Sequence, residues 1–226
     1  MKKITALILL MVICIGMICS CNKDDVNKDD ENVEKMGTGA CTYLYDRDIT
    51  NRRVHYVEFC VEGYGRMVVL LDETTAPKTV AQFLALISIK FYDGLTFHRI
   101  EPELVIQGGC PNANGTGGIK TTLEGEFESN GHSNDIRHRK GVIAMARGDD
   151  PDSASCQFYF CNDNSYELDG DYATFGYVVE GLSVIDDITA GALQYADPSN
   201  YYTISDKSLQ PVIKYIKLLD GWTPSK

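Results

Sequence analysis

The chain has no basic patch, no Cys-x-x-Cys pair and no apolar run of the length that crosses a bilayer. Each absence removes a class of function. Lys and Arg number 21 against 32 Asp and Glu, a net charge of −11. Phosphate binding needs clustered cations, so no nucleic-acid partner is expected. Without Cys-x-x-Cys, a dithiol redox centre or a zinc site has no support. Gly-x-Ser-x-Gly and His-Glu-x-x-His are both missing, which removes the nucleophile elbow and the zinc protease. The glycine-rich stretch 108–118, GGCPNANGTGG, has no Gly directly before Lys120 and so fails as a phosphate loop; it reads as turns. His132 and His138 lie in a polar stretch without Cys or carboxylate at ligand spacing, and read as surface residues. His55 reads as the solvated face of a strand. No metal and no cofactor is expected.

What is present begins with an export signal. Met1-Lys2-Lys3 precedes the apolar run Ile4–Ile18, whose 15 residues fall short of the roughly 20 of a spanning helix. Ile18-Cys19-Ser20-Cys21 resembles a bacterial lipobox, which implies lipidation of Cys21; a plain cleavable signal is the alternative. Residues 1–20 are therefore expected to be a signal peptide. Residues 21–52, acidic and without apolar periodicity, are expected to be a flexible tether and extension. The Lys-Asp-Asp after Cys21 resembles the acidic surface-export signal of some Bacteroidetes lipoproteins. The expected location is the cell envelope, lipid-anchored to the outer membrane on its periplasmic or outer face. Five cysteines remain beyond Cys21, an odd number. Cys156 and Cys161 on one extended strand would stand about 16 Å apart, too far to bridge.

From residue 53 to 226 one folded domain is expected, with no internal repeat. Two β-rich runs flank Glu62-Gly63-Tyr64-Gly65, a hairpin pattern. Thr75 suits a helix N-cap and Pro77 a first turn; Val80, Phe83, Leu84 and Ile87 follow at helical spacing. Short strands are expected at Gly141–Ala146, Cys156–Phe160, Ala173–Val179 and Pro211–Leu219, and a second helix near Leu182–Ile188. Residues 191–210 read as a long surface loop. Many short strands with two helices indicate an antiparallel sandwich or barrel.

The chemistry lies in polar residues set within apolar strands: Arg99, Gln107 and Gln157. Buried arginine is costly unless paired. If Thr96–Ile100 is a regular strand, Phe97 and Arg99 face the same way. Glutamine both donates to and accepts from a peptide group, so three such residues suggest a groove for backbone amides.

FYDGLTFHRI with IQGG, NGTGG, FE, MA, QF and LDG…FG, in that order, resembles the cyclophilin family of peptidyl-prolyl isomerases. The resemblance runs from about Val54 to the C-terminus. It implies a mostly β fold, a closed eight-stranded antiparallel barrel capped by two α-helices. It also implies that proline-containing polypeptides are the partners and that the catalytic domain is a monomer. Arg99 falls on the family's catalytic arginine and Gln107 on the glutamine that holds the substrate backbone. Ala146 and Arg147 match the segment that pairs with the extended peptide, and Gln157 and Tyr159 a groove glutamine and a pocket aromatic. Leu168 and Tyr172 complete the proline pocket, with Leu104 and Val105 opposite; Phe97 is placed among the substrate-binding residues. Leu104-Val105 stand where the family often has Phe-Met, Tyr159 where it has Phe, Tyr172 where it has His, and Arg147 where Asn is common. Glu167 stands where some members carry Trp. The polar machinery is kept while the apolar wall is altered. The activity implied is prolyl cis–trans isomerisation with Arg99 stabilising the twisted amide. Non-catalytic binding of proline peptides, or holdase action, is the alternative.

Overall fold

The computed structural model describes residues 48–223. Strands β1 (Val54–Val61) and β2 (Gly65–Asp72) form the hairpin at Glu62–Tyr64, and helix α1 (Pro77–Ser88) follows. Then come β3 (Phe97–Glu101), β4 (Val105–Gly108), β5 (Val142–Met145), β6 (Phe158–Cys161) and β7 (Thr174–Glu180). Helix α2 (Ser183–Ala192) and strand β8 (Ile213–Leu218) complete the chain. All pairings are antiparallel, in the order β3-β4-β6-β5-β7-β2-β1-β8.

The mostly β architecture with eight strands and two helices is the one expected, but closure is looser than a continuous barrel. The edge strands β3 and β8 meet where they begin, at Phe97, Ile213 and the residues leading into them. One bridge joins Thr96 to Val212, Phe97 N–H donates to Pro211 O at 2.9 Å and Ile213 N–H to Leu95 O at 2.8 Å. Pro211 has no N–H to return, so the seam cannot extend as a ladder there.

Alternation along the strands sorts side chains onto two faces. On β6, Phe158 and Phe160 enter the inner core while Tyr159 and Cys161 face outward; on β5, Ile143 and Met145 are inner, Val142 and Ala144 outer. The inner face closes over Val80, Phe83 and Ile87 of α1 and Val184, Ile185 and Ile188 of α2. At about 25 cal/mol per Å² of apolar area buried, this aromatic-rich interior is the main source of stability.

Two local expectations change. The N-cap of α1 is Ala76, whose methyl cannot accept a hydrogen bond; Thr75 Oγ1 instead accepts one from Arg52. The free N–H groups of Lys78 and Thr79 donate to the buried carboxylate of Glu126, at 2.9 and 2.8 Å. An anion at a helix N-terminus also complements its dipole. The folded unit extends earlier than residue 53 as well. Arg52 donates to the fully buried Asp72 at 2.8 Å, and Ile49 packs on the outer cluster. The expected signal peptide, the Cys21 lipidation site and most of the tether lie outside the described residues.

Candidate active site

The question is what a strand does with an arginine. In β3 the ladder to β4 pairs Phe97 with Gly108 and Arg99 with Gln107, so two steps on β3 oppose one on β4. The extra residue, His98, makes a bulge, and a bulge flips the alternation beyond it. Phe97 and Arg99 therefore face opposite ways, against the expectation for a regular strand. Phe97 is fully buried in the inner core, its ring edge-on to Phe158 at 5.9 Å. It is not brought to the site with the other residues assigned to substrate. Arg99, about a quarter exposed, stands outward beside Gln107.

From Arg99 a row of donors and acceptors crosses the outer face. Arg99 Nη1 donates to Gln107 Oε1 at 3.3 Å, Gln107 Nε2 to Gln157 Oε1 at 2.9 Å, and Gln157 Nε2 to the carbonyls of Gly115 and Gly117 at 2.8 and 2.7 Å. Every bond runs in the same direction, which sets how both amides are turned. The glycine-rich loop thus presents the carbonyls that end the row. Its start is tightly packed. A Cβ on Gly109, whose φ is +78°, would lie 2.9 Å from Cys156 O, so the left-handed turn and the close strand approach both call for glycine.

The other two arginine nitrogens are also anchored. Nε donates to the carbonyl of Tyr201 at 3.0 Å, and Nη2 forms an ion pair with Glu101. The Tyr201 contact comes from the segment expected to be a free surface loop. That segment folds back on β3: Ile100 N–H donates to Tyr202 O, Ile204 N–H donates to His98 O, and Ile204 is fully buried. Tyr201 and Tyr202 both have positive φ, 51° and 58°, a backbone that costs roughly 1–3 kcal/mol per residue in a non-glycine. The strained turn is what aims the Tyr201 carbonyl at Arg99. Glu101 was not singled out from the sequence, although its place two residues beyond Arg99 on the strand is a signal that could have found it. The returning loop had no such signal, because nothing local in a polar segment says what it packs on.

Beside this polar row lies the apolar part. Val105, Ala144 and Tyr159 are buried in the outer cluster, and Leu104, Ala146, Leu168 and Tyr172 pack on it. Tyr159 and Tyr172 meet edge to face at 5.8 Å. Arg147 lays its guanidinium over Tyr172, 4.8 Å from the ring centroid, and its Nε donates to Asp171 O. The Ala146 N–H donates to Gln157 O at 3.0 Å, which ties that segment to the strand carrying the groove glutamine. Ten of the eleven assigned residues thus gather on one face.

His138 contradicts its surface assignment. Only 1% exposed, it lies behind Tyr159. Its Nε2 is 2.9 Å from the Tyr159 hydroxyl, and its Nδ1 is 3.0 Å from Asp169 Oδ1, which also accepts the His138 backbone N–H at 2.7 Å. Burial lowers the pKa of His138, against the opposing pull of Asp169. Burial works against the charge of Asp169 too. The His138 backbone N–H, Arg137 and the imidazole outweigh it and hold that carboxyl below its usual range. The pair is therefore a neutral imidazole against a carboxylate. His98 is also almost fully buried, its Nδ1 without a partner; burial, then the charge of Arg99, lowers its pKa to about 4. No sequence spacing signals either histidine, because the partners of His138 come from distant strands and loops.

Both the fold and the sequence have counterparts among known proteins. Peptidyl-prolyl cis-trans isomerase B of Bacillus subtilis is 38% identical over 133 residues, covering 59% of this chain and 90% of that protein. Peptidyl-prolyl cis-trans isomerase ppi1 of Schizosaccharomyces pombe is 40% identical over 122 residues, covering 53% and 76%. Among solved structures, a Cryptosporidium parvum cyclophilin type peptidyl-prolyl cis-trans isomerase, determined in the presence of the dipeptide Ala-Pro, superposes with a TM-score of 0.63. It is 24% identical and covers 74% of this chain and 99% of its own, a likeness of fold. The family model for cyclophilin type peptidyl-prolyl cis-trans isomerase/CLD matches residues 56–208, more than half of the chain. The family model and the identity to the curated relatives agree, and the chain belongs to the cyclophilin-type peptidyl-prolyl cis-trans isomerases.

Proposed function

We propose that this isomerase turns X–Pro bonds by presenting Arg99 to the prolyl nitrogen while the outer apolar cluster grips the proline ring. The observation that carries the reading is the hydrogen-bonded row Arg99–Gln107–Gln157 lying alongside Val105, Tyr159 and Tyr172 on one face. An X–Pro bond resists rotation because amide resonance gives it double-bond character, with a barrier of about 18–20 kcal/mol. At the twisted geometry resonance is lost and the nitrogen regains its lone pair. A guanidinium donor there stabilises the twisted form more than either planar one, as catalysis requires. A charged hydrogen bond contributes roughly 1.5–3 kcal/mol, or about one to two powers of ten in rate.

Three anchors on Arg99, at Tyr201, Gln107 and Glu101, hold the guanidinium plane before substrate arrives, so little of its freedom remains to be lost. Each of Nη1 and Nη2 carries a second hydrogen for substrate. Gln107 and the Ala146–Arg147 segment fix the flanking peptide. No covalent step enters the rotation. The test is exchange between cis and trans X–Pro peptides with the parent and Arg99→Ala, folding checked by circular dichroism. Loss of about 10- to 100-fold in kcat/KM supports the role of Arg99. An unchanged rate in the folded variant sinks it. A parent that binds proline peptides without accelerating exchange supports the binding-only alternative, in which Arg99 is a strut tied to Glu101 and Gln107.

The substrates we infer are proline-containing segments of proteins outside the cytoplasm. The support is the signal-like residues 1–20 and the lipobox-like run ending at Cys21, which an acidic segment follows. Metabolic labelling with a fatty-acid analogue checks this: label on the parent and none on Cys21→Ala is the expected result.

A further inference from the structure

We propose that His138 is a positioning residue of the proline pocket, a buried strut that sets the pocket's width by holding Tyr159 at a fixed distance from the wall that carries Leu168. The inference rests on the isomerase reading of the outer face and goes beyond it.

Tyr159 sits on β6 and is 4% exposed, and its hydroxyl bonds only to His138 Nε2 among the described contacts. A buried hydroxyl without a partner costs roughly 1–3 kcal/mol, so the ring's place depends on that nitrogen. His138 is held in turn from the opposite side. Asp169 takes its Nδ1 and its backbone N–H, and Arg137 Nε donates to the second carboxylate oxygen at 2.8 Å. Asp169 is the residue directly after Leu168, and Tyr172 follows three positions later. The chain Asp169–His138–Tyr159 therefore spans from one apolar wall to the floor. The imidazole also stacks on Tyr159 at 6.0 Å and meets Tyr172 edge-on at 6.4 Å. With Asp169 accepting from Nδ1–H, Nε2 is the acceptor and the Tyr159 hydroxyl donates to it. His138 is itself too buried to touch a peptide, and among the described residues its hydrogen bonds and ring contacts go to Asp169, Tyr159 and Tyr172 and not to Arg99, Gln107 or Gln157. Its effect should fall on binding and ring-size preference, with the rotation step left alone.

The experiment uses the full chain and two peptides, one with proline and one with its six-membered homologue, pipecolic acid. In His138→Ala the expected result is a KM for the proline peptide raised about tenfold, kcat within about twofold, and a smaller preference for proline over pipecolate. Adding Tyr159→Phe, which removes the stranded hydroxyl, should bring KM back to within about threefold of the parent. Imidazole nitrogen NMR of the parent should show His138 protonated at Nδ1 and bare at Nε2. If His138→Ala does not fold, His138→Gln replaces it. Gln can donate toward Asp169 and accept from Tyr159, and KM within about twofold of the parent is then expected. An unchanged KM in folded His138→Ala, equal loss in kcat and kcat/KM, no recovery with Tyr159→Phe, a shifted KM in His138→Gln, or the opposite tautomer overturns the proposal. A parent with no isomerase activity removes the underlying reading instead, and the tautomer result still stands on its own.

Discussion

The two faces of the same sheet are built from different aromatics. All eight phenylalanines belong to the inner core or pack against it, whereas the outer cluster has none and uses Tyr56, Tyr159, Tyr172, Tyr177 and Trp222. A phenylalanine needs only volume, so Phe59, Phe83, Phe158 and Phe160 interlock at centroid distances of 5.3 to 6.2 Å with no polar atom to satisfy. A tyrosine brings the same area and a hydroxyl that must be matched. Inside, contact area dominates, and the fully buried tyrosine there, Tyr92, donates its hydroxyl to Cys156 O at 3.0 Å. Outside, Tyr159 is tied to His138 and Tyr172 lies under the Arg147 guanidinium, and those ties hold the binding surface in one shape before a ligand fills it.

The independence of the two faces is tested most directly at Phe158, whose ring contacts five other aromatic rings. Phe158→Ala should cost about 3–5 kcal/mol in urea denaturation, with activity lost only in step with the folded fraction. A change in KM of the residual folded protein would show that the faces are coupled.

Acid should act next. His98 titrates at about 4 in the folded chain against about 6.5 when unfolded, so between those values the unfolded state binds the extra proton. Stability is complete above pH 6.5, declines as pH falls towards 4, and is flat for this group below that. The difference of 2.5 pH units is worth about 3 kcal/mol. The lowered pKa of His138 adds a loss of the same sign, starting from the same upper limit. Urea midpoints at pH 7 and 4.5 measure the sum, and His98→Asn should remove most of it.

A smaller effect is expected at Glu126, which caps α1 from outside the helix. Glu126→Ala leaves the Lys78 and Thr79 N–H groups and the Thr79 hydroxyl without their acceptor, and should cost about 2 kcal/mol. Because α1 packs on the inner face, the melting temperature should fall while KM stays put. The least loss is expected for Tyr159→Phe alone, about 1 kcal/mol in thermal unfolding, since ring volume is kept and one hydrogen bond goes. A larger loss would mean that the outer ring does more for the fold than its polar tie suggests.

Much of the β framework was legible before the structure, and so was the set of residues that gather on its outer face, Phe97 excepted. Short β-rich runs bounded by turn residues mark β1, β2, β5, β6, β7 and β8, and Pro77 with Val80, Phe83 and Ile87 marks α1, because turn residues and helical spacing report local geometry. The order of FHR, IQGG, QF and LDG marked the outer-face residues. Phe97 was misplaced because a bulge is a mismatch between two strands, and β3 alone contains only half of it. Thr75 was a sound local N-cap, yet Glu126, 48 residues from Lys78, took the helix N–H groups instead. His138 looked exposed because its neighbours in sequence are polar, while its neighbours in space are Tyr159 and Asp169.

By itself, then, the sequence determined most element types and the residues available for chemistry, since these follow from local composition, turn residues and side-chain character. Tertiary structure alone decided which partner each polar group found. It turned Arg99 away from Phe97, folded Tyr201 onto it, and placed an imidazole behind the pocket ring. Hydrogen-bond partners joined through space over 21 to 102 residues leave no local pattern, because they are chosen only when the chain has closed around them.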